Sequence, residues 1–268
     1  MNKYLVTIFI GTIFAFFVLY TLMGNYQTQI VFLDQEKTRQ FLINDEDKYV
    51  RNLTKYDLIA RKSQDHDSYL KRISACASSF EDAEKKKLIE CTKSADHFLK
   101  NFKWNKLDCN EISILPWKFA LTSKINHFEY EDGLPHTRKD IIFLTGNNLN
   151  ANEHDLINIL IHEKVHIYQR MNKTKMNSIV NDMGFVVFTQ TSQSILKLKR
   201  SNPDINDKIY YDEKKGILNL CKYSSENPSN ISDVESNNMS SEHPYEKMAY
   251  EIAGEYSRQI LNGKIEKI

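Results

Sequence analysis

Charge of one sign is what this chain most plainly lacks. Lys and Arg number 36 against 35 Asp and Glu, a net charge of +1 over 268 residues. Such a balance carries no electrostatic footprint for a phosphate backbone, so no nucleic-acid partner is expected. Glycine and proline are scarce, at 8 and 5, and neither occurs between Gln35 and Leu107. Charged and apolar residues alternate there, and the segment reads as two or three helices forming a stalk or helical lobe. Ser78, with Glu81 three residues on, fits a capping box for a helix in which Leu88, Cys91, Ala95, Phe98 and Phe102 keep helical spacing. His66 and His97 read as surface or packing residues. The 4 cysteines, Cys76, Cys91, Cys109 and Cys221, permit disulfides in three pairings or, equally, buried reduced thiols.

Charge is absent altogether between Lys3 and Asp34. Residues 4–23 are almost wholly apolar, with aromatic residues at both ends, and about 20 such residues cross a hydrocarbon core. The run is long for a cleaved signal peptide, and no Ala-x-Ala-like site follows it. It reads as a transmembrane signal anchor over residues 1–24, meeting the lipid bilayer through residues 4–23. The expectation is a single-pass membrane protein whose remaining chain lies on the extracytoplasmic or lumenal side. The even cysteine count and four glycosylation patterns, at Asn52, Asn172, Asn230 and Asn238, lean the same way.

What the chain does have is the run Leu160-Ile161-His162-Glu163-Lys164-Val165-His166-Ile167-Tyr168-Gln169-Arg170, containing His-Glu-x-x-His. Residues four apart share one face of a helix, so His162 and His166 can bind one metal ion, with bonds of about 2.0–2.1 Å for zinc. Glu163 would then be aimed at the water on the open position and act as general base. The helix is well specified. Asn152 can cap it, Glu153 and Asp155 suit its first turn, and Leu156, Ile157, Leu160, Ile161, Val165 and Ile167 make it largely apolar. Two imidazoles and a carboxylate on such a helix need partners, because burying an unpaired charge is costly.

This run resembles the active-site helix of the zincin metallopeptidases. In their gluzincin branch the third ligand is a glutamate on a later helix, which by resemblance is Glu246 in His243-Pro244-Tyr245-Glu246-Lys247-Met248-Ala249-Tyr250. Pro244 suits a first helical position, and Glu246, Ala249, Tyr250 and Ala253 share a face. Small alanines there would let this helix approach the His162–His166 helix closely. Glu251 points elsewhere, and Glu242 and His243 precede the helix. Resemblance also assigns substrate binding to Ile141, Ile142, Phe143 and Leu144, as a sheet-edge strand that pairs with an extended peptide; the alternative is an interior strand.

Elsewhere, Pro116 and Trp117 belong to a short strand or turn beneath the catalytic unit. Phe185–Phe188 is β-like, and Tyr210–Asp212 with Ile217–Leu220 form a hairpin bending at Gly216. Ser224–Ser241 is a long polar loop bordering the cleft. Tyr210, Tyr211, His243 and Tyr250 are all possible donors to an oxyanion. The expected fold class is α+β: a transmembrane helix (1–24), a helical stalk or lobe (25–107), and a zincin-like domain with a small sheet and the His-Glu-x-x-His helix (108–268). The expected function is hydrolysis of a peptide bond in a peptide or protein substrate, with one Zn²⁺ per chain. The rival is a non-catalytic, metal-binding membrane protein with a structural or adhesion role.

Overall fold

The computed structural model describes residues 28–190, 196–206, 208–235 and 243–263. Its centre is a sheet of five strands, β1 (Ile30–Phe32), β2 (Ala77–Ser78), β5 (Trp117–Thr122), β6 (His136–Arg138) and β7 (Ile141–Thr145), with β3 (Lys103–Trp104) and β4 (Leu107–Asp108) paired apart from it. The order is β1-β5-β7-β6, with β2 sharing the β1 side of β5. β1, β5 and β7 run parallel, while β6 returns antiparallel to β7 at the edge.

Alternation along β5 and β7 sorts side chains onto two faces. Phe119, Leu121, Ile142 and Leu144 join the core built on α4 (Asp82–Asn101), α7 (Glu153–Met171) and α9 (Pro244–Leu261). Ala120, Ile141 and Phe143 face the other way, onto α1 (Gln35–Asn44) and α3 (His66–Ala75), where Leu42, Tyr69, Leu70 and Ile73 complete a second core. Helices therefore cover both faces of the sheet, and the short α2 (Lys55–Ala60), α5 (Asn110–Ser113) and α6 (Gly146–Asn150) lie between these elements in the chain. Beyond α8 (Lys173–Asp182), strands β8 (Phe185–Val187), β9 (Tyr210–Asp212) and β10 (Ile217–Asn219) form a small antiparallel sheet. Gly216 bends the β9–β10 hairpin with φ +69°, a left-handed conformation that suits glycine.

The domain is α+β, but two features of the expected architecture are corrected. Residues 25–107 were expected to form a stalk or lobe. Instead β1 pairs with β5 in register Ile30–Trp117, α1 and α3 cover one sheet face, and α4 packs along α7. The apolar stripes of these helices bury against the sheet, which a free stalk would leave in water. Leu88, Cys91, Ala95 and Phe98 are buried as their spacing implies. Ser78, however, lies in β2, and the cap belongs to Glu81, whose amide donates to Glu84 Oε2 at 2.8 Å.

The second correction concerns the membrane. Among the described residues no helix is long and apolar enough to cross a bilayer. The expected single-pass architecture, with a catalytic region beyond the membrane, therefore finds no spanning helix among the described residues. Segment 4–23, on which it rested, lies outside the described residues. The disulfide alternative also gives way, since Cys76, Cys91, Cys109 and Cys221 are all free and buried. Burial pushes the Cys76 and Cys91 thiols up to about 11 and that of Cys109 to about 12.

Candidate metal centre

Helix α7 begins where the sequence places it. Asn152 Oδ1 accepts from the Asp155 amide at 2.9 Å, satisfying a first-turn donor. The helix then runs through the interior, with Leu156, Leu160, Ile161, Val165 and Ile167 buried on α4, α9 and the sheet. Helix α9 starts at Pro244, and the ring nitrogen Nδ1 of His243 accepts from the Tyr245 amide. Ala249 and Ala253 are fully buried against α7, so the two helices lie close. Asn158 Nδ2 fastens them further, donating to Ala253 O at 2.8 Å and Ser257 Oγ at 2.7 Å.

This packing brings His162, His166 and Glu246 together. The two Nε2 atoms are 2.9 Å apart, and Glu246 Oε2 lies 3.3 Å from His162 Nε2 and 3.5 Å from His166 Nε2. Donor atoms at the corners of a tetrahedron with bonds of about 2.05 Å would be about 3.3 Å apart. The three observed separations bracket that value, so the donor set fits one small cation such as Zn²⁺. Among the described residues this is the one group of three His, Cys, Asp or Glu able to hold a metal. Glu251, the carboxylate set aside on helical geometry, instead faces Lys106 at 4.0 Å.

Glu163 sits beside this triad in an unusual state. Its residue is 3% exposed, and its Oε2 is buried without a hydrogen-bond partner. Burial, reinforced by Asp204, pushes its carboxyl well above the usual carboxylate range. Glu246 goes the opposite way. Burial alone would raise it, but His166 and His162 outweigh that and hold it well below the ordinary range. Burial would lower His166, and Glu246 overcomes it, lifting the imidazole to about 9. The two glutamates thus differ because one lies directly against the imidazoles, while for the other burial and Asp204 outweigh the attraction of His166 and Arg170.

The donors open onto a cleft of about 420 Å³, lined by His162, Glu163 and Glu246 with Leu134, Ile159 and Tyr250. Tyr250 is 67% exposed, one helical turn beyond Glu246, with its ring centroid 4.6 Å from that of His162. Of the four candidate oxyanion donors only Tyr250 lines this cleft. Tyr210 is buried with its hydroxyl near Asn206, and His243 is the buried cap of α9.

The assignment of Ile141, Ile142, Phe143 and Leu144 to an edge strand is corrected. They form β7, an interior strand buried throughout, with β5 paired along one side and β6 paired to Ile141–Phe143 on the other, so it is not the edge that an added strand requires. β6 is the edge, and its central residue is already engaged. The Thr137 amide and Oγ1 donate to Asp204 Oδ1 at 2.6 and 2.8 Å, while Arg170 Nη2 donates to Thr137 Oγ1 at 2.9 Å and to Pro203 O at 3.0 Å. The segment Ser201–Asp204 therefore lies as a strap along the cleft. Its far end is fixed by the Ser201 amide and hydroxyl, which both donate to Asp57 at 2.8 Å.

Two residues without a role in the sequence reading reach the ligands directly. Gln169 Oε1 lies 2.9 Å from His166 Nδ1, and Gln169 Nε2 donates to Tyr245 O at 3.0 Å. Asn202 Nδ2 donates to Glu246 Oε1 at 2.8 Å. Gln169 is three positions from His166, so helical spacing could have found it. Asn202 comes from the strap and leaves no local signal. Lys164, inside the motif, faces away from the cleft, with its Nζ on Asp96 Oδ1 and Ser113 O and 4.0 Å from the Trp117 ring centre.

No family model, no curated protein and no solved structure matches this chain.

Proposed function

We propose that this protein is a zinc-dependent metallopeptidase of the zincin, gluzincin-like kind, holding one Zn²⁺ through His162, His166 and Glu246. The observation that carries the reading is the pairing of three donor atoms, spaced for three corners of a tetrahedron, with a buried carboxyl whose Oε2 lacks a hydrogen bond on the same cleft. When bound, the metal would serve as Lewis acid and lower the pKa of a water molecule. Glu163 is suited to the proton work. Its carboxylate takes the proton of the attacking water and returns it to the nitrogen of the departing amine. Tyr250, at the rim, is the nearest hydroxyl-bearing candidate to donate to developing oxyanion charge.

A metal-holding scaffold without hydrolysis would give Glu163 no purpose, and a buried unpaired carboxyl costs stability. The substrate is a peptide or protein segment entering beside Leu134, Ile159 and Tyr250. Strand addition to Ile141–Leu144 forms no part of the proposal.

The test is metal analysis of the purified full chain with His162→Ala, followed by hydrolysis of a mixed peptide library with Glu163→Gln as control. The reading expects one zinc per chain, lost in His162→Ala, and cleavage that Glu163→Gln abolishes while keeping the metal. Well-folded protein that takes up no zinc would overturn it. Cleavage undiminished in Glu163→Gln would remove Glu163 from its role.

A further inference from the structure

Each of the two deepest ligands is held by a carboxamide whose orientation is itself fixed. Gln169 is fully buried. Its Nε2 donates to the Tyr245 carbonyl, so its oxygen must face the His166 ring. An amide oxygen can only accept, and therefore His166 Nδ1 carries a hydrogen whatever the charge of the ring, which leaves Nε2, the nitrogen facing His162 and Glu246, as the one that can give up its proton to a metal. The Tyr245 carbonyl precedes Glu246 directly, so the same side chain ties the first turn of α9 to α7. Asn202 is fixed likewise. Its Oδ1 accepts from the Asp204 amide at 2.9 Å, which turns Nδ2 toward Glu246 Oε1. That bond occupies Oε1 and leaves Oε2 as the oxygen nearest both histidines.

We propose that Gln169 and Asn202 are positioning residues that select the ligand atoms of the metal centre: Nε2 of His166 through Gln169, and Oε2 alone of Glu246 through Asn202. This rests on the metal reading above. An acceptor on the far N–H of a histidine ligand orients the ring and raises its basicity, a donor on the far oxygen of a carboxylate ligand fixes which oxygen is left, and loss of such partners commonly weakens metal binding about 10- to 100-fold. His162 receives no such support from either amide and stands at the mouth of the cleft, its side chain 14% exposed. The centre is thus asymmetric, with two ligands braced from behind and one near solvent.

The experiment is Zn²⁺ affinity of the full chain by competition with a chromophoric chelator, together with the visible spectrum of the Co²⁺-loaded protein. Four variants are compared: Gln169→Leu, Gln169→Glu, Asn202→Leu and Asn158→Ala. Gln169→Leu is expected to weaken Zn²⁺ about 10- to 100-fold, while Gln169→Glu, which keeps an acceptor for His166 Nδ1, stays within a few-fold of the natural chain. Asn202→Leu frees Glu246 Oε1 to join the coordination, so the Co²⁺ absorption falls in intensity as coordination number rises. Asn158→Ala breaks the other amide tie between α7 and α9 without touching a ligand. It lowers stability and leaves Zn²⁺ affinity alone.

Equal loss of affinity in Asn158→Ala and Gln169→Leu would show that Gln169 merely holds helices together, and would overturn the proposal. Unchanged affinity in Gln169→Leu, or an unchanged Co²⁺ spectrum in Asn202→Leu, would overturn the corresponding half while the metal reading stands. Absence of binding by the natural chain would remove both the metal reading and this inference.

Discussion

Glu163→Leu provides a test of the site that needs no substrate. In the metal-free protein the Glu163 carboxyl is 3% exposed, with a buried oxygen lacking any partner. Leaving a polar group unsatisfied in the interior costs about 1–3 kcal/mol on the scale of protein mutants. Leucine has a similar volume and no polar atom, so it removes that cost. Its branched shape gives back part of the gain, up to about 1.5 kcal/mol for an imperfect hydrophobic fit. The attraction of the His166 imidazolium is also lost, but burial and Asp204 already outweigh it. The net expectation is a gain of about 1 kcal/mol, which for a domain of this size raises Tm by about 2–4 °C. The assay is thermal unfolding by circular dichroism in excess chelator, at neutral pH, beside Glu163→Gln, which keeps a polar group and moves Tm less. A carboxylate that serves the fold gives the opposite sign. If Tm falls by about 2 °C or more in Glu163→Leu, Glu163 is structural, and the stability sacrificed for function is not at this position.

Two further expectations follow from the packing and the charge networks. Ala249 is fully buried one turn from Glu246, on the face that meets α7; Ala249→Leu should cost about 1–3 kcal/mol by overpacking and weaken Zn²⁺ binding as Glu246 is displaced, read by urea unfolding and chelator competition, and no change in either would mean the helices are not in close contact. Buried Glu131 receives Arg61 Nε at 3.0 Å and Nη2 at 2.5 Å, and although burial would raise its carboxyl, Arg61 outweighs that and holds it below the usual range. A depressed carboxylate contributes stability that is fully present above the unfolded-chain pKa of about 4.3 and is lost as pH falls from there through the lower folded value. Unfolding free energy of the natural chain should therefore drop below about pH 4.3, and Glu131→Gln, less stable at neutral pH because buried Arg61 loses its closest carboxylate and keeps only Asp57 at 3.7 Å, should show a flatter acid limb; an equally steep limb would mean that other carboxylates carry the acid transition.

Much of the site was legible because its signals are local. The His162–His166 spacing is a property of one helix, and Asn152, Asp155 and the apolar residues that follow specify that helix without reference to anything else. Pro244 and the Ala249–Ala253 face mark α9 in the same way, as the aromatic and β-branched run Phe185–Val187 and the glycine bend at Gly216 mark the small sheet. The edge-strand assignment failed for a reason of the same kind. An apolar run such as Ile141–Leu144 reads alike at an edge or in an interior, because both faces of a strand can be buried in either place. Only the pairing of His136–Arg138 across it decides. The stalk reading of residues 25–107 failed because amphipathic helices show that they need an apolar surface and not which surface they find.

The sequence by itself thus determined that His162, Glu163 and His166 share one helix at metal-binding spacing, and that a second helix with a small-residue face carries a carboxylate at its start. Tertiary structure decided which atoms face one another and at what distance. It alone set Glu246 Oε2 against two Nε2 atoms, turned the Gln169 and Asn202 amides, left Glu163 buried without a partner, and laid the Ser201–Asp204 strap across the edge of β6. Periodicity records which way a side chain leaves its own element. Hydrogen bonds, desolvation and paired charges depend on elements far apart in the chain, and these exist only once the helices have closed on the sheet.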